Sequence, residues 1–303
     1  MLAEADPPES GLAAALRDIA EDVDRLFADL LPVPDDGRAR LFEAMRHSAI
    51  GGGKRMRPLL VTAAAHLFNV DPARALRAGL AAECIHVYSL VHDDLPCMDD
   101  DDMRRGKPTA HKAYGEAAAV LAGDSLHALA FEVLADERTH EDPHVRVELI
   151  RALAGAAGPA GMAGGQMMDL EAGGTGLDLA AVTRLQQMKT GALIAFCLEA
   201  GAILGRASTQ AHTALRGYAH DLGLAFQIAD DLLDVAGDEA KTGKRVGKDE
   251  AAGKITFVSL LGLERAGSQA RMLADQAVEH LGMFGAEADL LRAVARYAVE
   301  RDR

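Results

Sequence analysis

The sequence predicts an all-α protein, and three observations carry that expectation. Apolar residues make up 49% of the 303 residues, ample for a packed core. Aromatics are only 4% and Trp is absent, whereas strands favour β-branched and aromatic side chains. Apolar residues recur at three- and four-residue steps along most of the chain, and convincing strand alternation appears nowhere.

The first helical pattern is "SGLAAALRDIAEDVDRLFADLL", with Ser10 as an N-cap and Leu12, Leu16, Ile19, Val23, Leu26 and Leu30 on one stripe. "LPVPDDG" follows as a connector, because two prolines and Asp-Asp-Gly break any period. Further patterns cover Arg38–Ile50, Pro58–Phe68, Pro72–His92, Glu116–Ala135, Pro143–Ala157, Leu179–Leu204 and Thr209–Val235, with more from Ile255 onward. Helices of about twenty residues span about 30 Å, lengths that suit a bundle rather than a solenoid. No repeat or linker divides the chain. The expectation is one helical-bundle domain over 1–303, with 1–36 its N-terminal helix and connector.

Composition narrows the function. No apolar run is expected to cross a bilayer, and the acidic start "MLAEADPPES" does not resemble a secretory signal. Cys84, Cys97 and Cys197 are too few and too scattered for a disulfide framework or a zinc site, which fits reduced thiols in the cytoplasm. A net charge of −14 disfavours nucleic acid or an anionic membrane as partner. That charge is local: nine aspartates in two clusters supply nearly two thirds of it.

The first cluster is "HDDLPCMDDDD", six aspartates in the eleven residues His92–Asp102. Asp93 and Asp99 would point roughly 120° apart on an ideal helix. Pro96 breaks that helix, so the chain can fold back and bring Asp99 round to Asp93. In the second cluster, "FQIADDLLD", Asp230 and Asp234 share a helix face, with Gln227 a turn before. Carboxylates about 4 Å apart repel by about 4 kcal/mol at an intermediate dielectric. Oxygen-only clusters of this kind suit a hard cation, Mg²⁺ or Ca²⁺. The spacing fails the EF-hand pattern, and Mg²⁺ on a few carboxylates usually shares its shell with phosphate oxygens.

The cations point to the same substrate. "GGGKRMRP" places Lys54, Arg55 and Arg57 after three glycines; it is no P-loop, yet it fits a backbone that approaches phosphate closely. Arg104 and Arg105 follow the first acidic cluster, "QMKTGAL" offers Lys189 and Thr190, and "AKTGKRVGKDEAAGK" carries Lys244 and Lys254. Together they suggest two anionic groups, one bound through a metal and one bound directly.

The ordered set "GGGKRMRP", "YSLVHDDLPCMDDDDMRRGKPTAH", "MKTGAL" and "FQIADDLLD" resembles the short-chain trans-polyprenyl diphosphate synthases, most of all their bacterial farnesyl-forming branch. It runs in the right order from about Leu41 to Leu263. The resemblance implies that Asp93 and Asp99, helped by Asp94, face Asp230, Asp231 and Asp234 across a cavity. Three Mg²⁺ ions, with Mn²⁺ as substitute, would bridge them to an allylic diphosphate. Arg104, Lys189 and Lys254 match contacts to that diphosphate, and Lys244 a further basic position. Lys54, Arg57, His86 and Arg105 match a metal-free isopentenyl diphosphate site. Thr190, Gln227 and the Lys189 carbonyl match polar groups beside the carbocation. Gln166 and Asp169 in "GMAGGQMMDLEAGGTG" match a supporting segment, and "YAVERDR" a basic tail that closes the isopentenyl site.

The implied reaction is ionisation of dimethylallyl or geranyl diphosphate, condensation with isopentenyl diphosphate and loss of a proton, giving farnesyl diphosphate. Tyr88 lies five residues before Asp93, roughly 7.5 Å deeper along the helix. There the family places an aromatic floor that stops growth, and the small Ser89 leaves room above it. A homodimer is also implied. Geranyl or geranylgeranyl diphosphate are the alternative products. A class I terpene cyclase has no use for "GGGKRMRP"; a non-catalytic subunit would lack one aspartate motif; a Ca²⁺-binding protein would not need the basic clusters.

Overall fold

The computed structural model describes residues 8–172, 176–236 and 255–300, and they are helical with one small hairpin. The chain forms two compact units, residues 1–62 with 70–150, and residues 63–69 with 151–303. Each is built around apolar helix faces.

In the first unit, α1 (Pro8–Leu30) buries Leu12, Ile19, Val23 and Phe27 at seven- and four-residue steps, while Leu16, Leu26 and Leu30 of the expected stripe are half-buried. It begins two residues ahead of the Ser10 N-cap that the sequence predicts, a difference within the fraying of a helix end. α2 spans Ala39–Ala49 and α4 Pro72–Asp93, while α3 (Met56–His66) belongs to this unit as far as Thr62. α4 starts where its signals say. The Asp71 side chain accepts from the backbone N–H groups of Ala73 and Arg74, and Pro72 takes the first turn, where its missing N–H costs nothing. Ala78, Leu80, Ala81, Ala82, Cys84 and Ile85 are fully buried, so α4 is apolar nearly all round.

α6 (Glu116–Ala135) packs along α4. Gly123 makes the close approach: a Cβ there would sit 2.1 Å from Nε2 of His92, whose ring lies over it and contacts the Val120 carbonyl at 3.1 Å. Between α4 and α6 lie two elements the sequence did not signal. Met103–Arg104 and Lys107–Pro108 pair as an antiparallel hairpin around Gly106, and α5 covers Ala110–Tyr114.

After α7 (Pro143–Ala157), α8 (Met162–Glu171) precedes α9 (Leu179–Gln186) in the second unit. The long pattern predicted over Leu179–Leu204 is interrupted. Gln187–Gly191 forms a π-turn, after which α10 (Ala192–Leu204) resumes. α11 (Thr209–Ala236) packs against α10 and against α13 (Leu263–His280), while α12 (Phe257–Leu261) and α14 (Asp289–Glu300) close the core. Ala225, Ile228, Phe257, Val258, Ala266 and Ala270 form one cluster. The fully buried Tyr218 of α11 donates from its hydroxyl to the Leu291 carbonyl at 2.7 Å.

One expectation is corrected. Glu116–Ala135 and Leu179–Leu204 are long and apolar enough to cross a membrane by length and composition. Roughly half of each is buried inside the protein, 44% and 56% of the most apolar windows. Apolar helices are what an aromatic-poor, Ala- and Leu-rich core is built from.

Candidate active site

The triple glycine folds as its composition demands. Gly51 and Gly53 adopt φ of +75° and +87°, where L side chains are strained, and Arg55 follows at +50°. The turn is packed under Arg105. A Cβ on Gly53 would lie 2.6 Å from the Arg105 guanidinium carbon, and Arg105 Nη1 donates to the Gly52 carbonyl at 3.0 Å. Lys107 Nζ donates to the Ile50 carbonyl at 3.1 Å. A cleft beside this loop is lined by Gly51, Gly52, Asp94, Arg104, Arg105 and Lys107.

Arg55 has a different job from its neighbours. It is 2% exposed and donates to Glu83 Oε1 at 2.8 Å, Asp24 Oδ1 at 2.6 Å and the Ala49 carbonyl at 2.5 Å. That buried ion pair anchors the loop from beneath and leaves the exposed Lys54 and half-buried Arg57 on its outer side. His86, on α4, senses the same cations. Burial, then the charges of Arg57, Arg105, Arg104 and Arg55, hold its pKa well below the ordinary imidazole value. Burial and neighbouring arginines also depress Arg105. Arg57, Arg105, Arg104 and Arg55 thus act on His86 as one cationic region. A cluster that penalises its own positive charge is stabilised by an anion.

The first acidic stretch folds back after Pro96. Asp99 N–H donates to the Asp93 carbonyl at 2.8 Å, and Met98 N–H to the Leu95 carbonyl at 2.8 Å. Asp93 is half-buried and Asp99 exposed. Asp94 has a cationic partner. It is 3% exposed and gripped by Arg104, whose Nε donates to Oδ1 and Oδ2 at 2.7 and 2.9 Å while Nη2 donates to Oδ1 at 2.6 Å. Burial still pushes its carboxyl upward, against the lowering effect of Arg104.

Asp100, Asp102 and the buried His111 bring a ligand atom each within 4.8 Å of one another. His111 was not a sequence candidate. Asp102 also pairs with Lys112 Nζ at 2.7 Å, and His111 Nδ1 with Thr109 Oγ1 at 3.2 Å.

Tyr88 stands in an aromatic layer. Its ring meets His92 edge-on at 5.7 Å and His127 at 4.9 Å, and His127 meets Phe131 at 5.2 Å. Ser89, the small neighbour, donates to the His86 carbonyl at 2.9 Å. His127 and Phe131 come from α6, so no local motif could have exposed them.

In the second unit, α11 carries the other acidic cluster. Asp230 and Asp234 are half-buried; Asp231 is 3% exposed. Both Asp231 oxygens are engaged, Oδ1 by Gln227 Nε2 and Oδ2 by the Phe257 backbone N–H, each at 2.8 Å. Gln227 Oε1 accepts from Thr190 Oγ1 at 3.3 Å. Lys189 Nζ donates to Asp169 Oδ2 at 2.6 Å. Gly165 faces the Lys189 backbone so closely that a Cβ would come within 2.3 Å of its nitrogen. Lys244, Lys254 and the end of the "YAVERDR" tail lie outside the described residues.

Asp93 and Asp99 in the first unit, and Asp230 and Asp234 in the second, each offer hard carboxylate oxygens of the kind that suits Mg²⁺. Asp94 and Asp231 are buried, and each carboxylate is held by hydrogen bonds within the protein.

Comparison with known proteins then fixes the family. Residues 38–294 match the sequence model described as polyprenyl synthetase. The farnesyl diphosphate synthase of Escherichia coli (strain K12) is 47% identical over 266 residues, 86% of this chain and 89% of that protein. The crystal structure of an FPP/GFPP synthase from Zymomonas mobilis superposes with a TM-score of 0.88 at 60% identity, covering 96% and 99% of the two chains. The chloroplastic geranylgeranyl pyrophosphate synthase 11 of Arabidopsis thaliana is 45% identical over 84% of this chain and 73% of its own length. The chain belongs to the polyprenyl synthetase family.

Proposed function

We propose that this chain is a farnesyl diphosphate synthase, a prenyltransferase that joins isopentenyl diphosphate to dimethylallyl and then geranyl diphosphate. The observation that carries the reading is the division of its charged groups into two chemistries. Arg57, Arg105 and Arg104 act on His86 as one cationic region, and Lys54, Arg57, His86 and Arg105 would bind isopentenyl diphosphate without a metal. Asp93 and Asp99 in one acidic cluster, and Asp230 and Asp234 in the other, are carboxylate pairs that would each take Mg²⁺. That metal, once bound, supplies neutralisation of the charge developing on the allylic leaving group.

The protein's own groups do the rest. Arg104 is fixed by Asp94 and Lys189 by Asp169, so both cations are held in place to contact the allylic diphosphate. Thr190 and Gln227, already joined by a hydrogen bond, present polar atoms to the carbocation. Apolar helix walls exclude water that would quench it. Lys244 and Lys254 complete the allylic contacts in this reading.

Product length rests on Tyr88 and its partners. The layer of Tyr88, His127 and Phe131 favours a C15 product over longer ones. The Zymomonas mobilis relative is an FPP/GFPP synthase, which makes a longer product the second reading. Magnesium dependence, a homodimer in the cytoplasm, and the absence of nucleic-acid binding and of stable membrane insertion complete the proposal.

Incubating the purified chain with labelled isopentenyl diphosphate and geranyl diphosphate tests it. A C15 diphosphate formed with Mg²⁺ and not with chelator is expected. No prenyl product with either allylic substrate would end the reading.

A further inference from the structure

The π-turn Gln187–Gly191 is the segment that carries Lys189 and Thr190. An i→i+5 turn is intrinsically poor and survives where its surroundings hold it. Three attachments are visible. Lys189 is tied to Asp169, and Thr190 is tied through Gln227 to Asp231. The third begins at Gln187 and runs away from the acidic cluster.

Gln187 Nε2 lies 2.6 Å from His220 Nε2. With the amide NH₂ as donor, the imidazole nitrogen facing it is the acceptor. The His220 proton then sits on Nδ1, where it donates to Asp221 Oδ1 at 2.9 Å. The other oxygen of Asp221 contacts His280 Nε2 at 3.1 Å. Asp221 is only 9% exposed, and the two imidazoles supply the hydrogen bonds its buried carboxylate needs. Gly217, one turn earlier on α11, makes room. A Cβ there would fall 2.6 Å from the His280 ring, so the missing side chain lets His280 lie on α11 and reach Asp221. The chain of four side chains joins the end of α13, through α11, to the first residue of the π-turn.

We propose that His220, oriented by Asp221 and His280, is a positioning residue for catalysis. Through Gln187 it holds the π-turn so that Lys189 and Thr190 meet the allylic diphosphate and its carbocation. The inference rests on the prenyltransferase reading above and adds to it a relay of residues outside the substrate-contacting set.

Three variants test it by steady-state kinetics with geranyl and isopentenyl diphosphates: His220→Leu, Gln187→Leu and His220→Gln. The His220 side chain is 53% exposed, so its replacement leaves the core intact. Both Leu variants should lose about tenfold in kcat, because misplacement of about an ångström costs up to a hundredfold. Their KM for isopentenyl diphosphate should stay within about twofold of the wild type. Glutamine at 220 retains an acceptor for Gln187 and should recover most of kcat. If the wild type makes no prenyl product, the prenyltransferase reading fails and the inference falls with it. If the wild type turns over and the Leu variants match it, the relay alone is overturned. A loss that glutamine does not rescue, or that raises both KM values alongside a lower Tm, marks a merely structural role and also overturns it.

Discussion

Adjacent aspartates on a helix point about 100° apart, so a pair such as Asp93–Asp94 or Asp230–Asp231 divides its labour. In both pairs the second residue is buried and committed to the protein, Asp94 to Arg104 and Asp231 to Gln227 and the Phe257 N–H. Asp231→Ala should therefore cost about 1–3 kcal/mol in urea unfolding, since it strands a buried N–H. Asp230→Ala should stay within about 0.5 kcal/mol, as half-exposed positions do. Equal losses would contradict the division. His86 gives a pH test. Its folded pKa is held below the ordinary 6.5, so on acidification the unfolded chain takes up a proton there that the folded chain refuses. Stability is then present above about pH 6.5 and lost as pH falls below it. Denaturant midpoints between pH 7 and 5 should fall less steeply for His86→Gln; parallel slopes would refute the assignment.

At the scale of elements, two turns hold the chemistry, and both depend on glycine and on buried anchors. Gly165→Ala puts a methyl 2.3 Å from the Lys189 nitrogen and must displace the π-turn. It should lower kcat by at least about tenfold in a turnover assay, with isopentenyl KM little changed. The glycine loop rests on Arg55, which is buried against Glu83. Arg55→Ala should destabilise by about 3–5 kcal/mol in chemical unfolding, because it leaves Glu83 charged and unpaired. These elements also mark what the sequence reveals. Helix α4 was readable from Asp71, Pro72 and its apolar run, and the fold-back of Asp99 onto Asp93 from Pro96 alone. The π-turn was not, because one extra residue per turn barely disturbs the period of a run as apolar as Leu179–Leu204. The hairpin at Met103–Pro108 is two residues per strand, too short to alternate. The Asp94–Arg104 pair, the Gln187–His220–Asp221–His280 chain and the Tyr88–His127 contact depend on tertiary packing, for which spacing gives no signal.

At the scale of the whole molecule, a chain of net charge −14 binds two highly anionic substrates, which its uneven charge makes feasible. Carboxylates gathered in two clusters repel diphosphate until cations neutralise them, whereas the loop around Lys54, Arg57 and Arg105 attracts it directly. Chain length is a molecular property too, set by apolar depth beneath the reacting carbon. Tyr88→Ala removes the ring that meets His92 and His127 and should shift product from C15 toward C20 and longer, read by chromatography of dephosphorylated products. Unchanged C15 output would sink the floor argument. The central claim, that one anion site needs metal and the other does not, is tested most directly by calorimetric titration. Isopentenyl diphosphate and an unreactive allylic thiolodiphosphate would each be titrated in Mg²⁺ and in chelator. The predicted result is allylic binding that disappears in chelator and isopentenyl binding that persists; equal dependence of both ligands on the metal would contradict it.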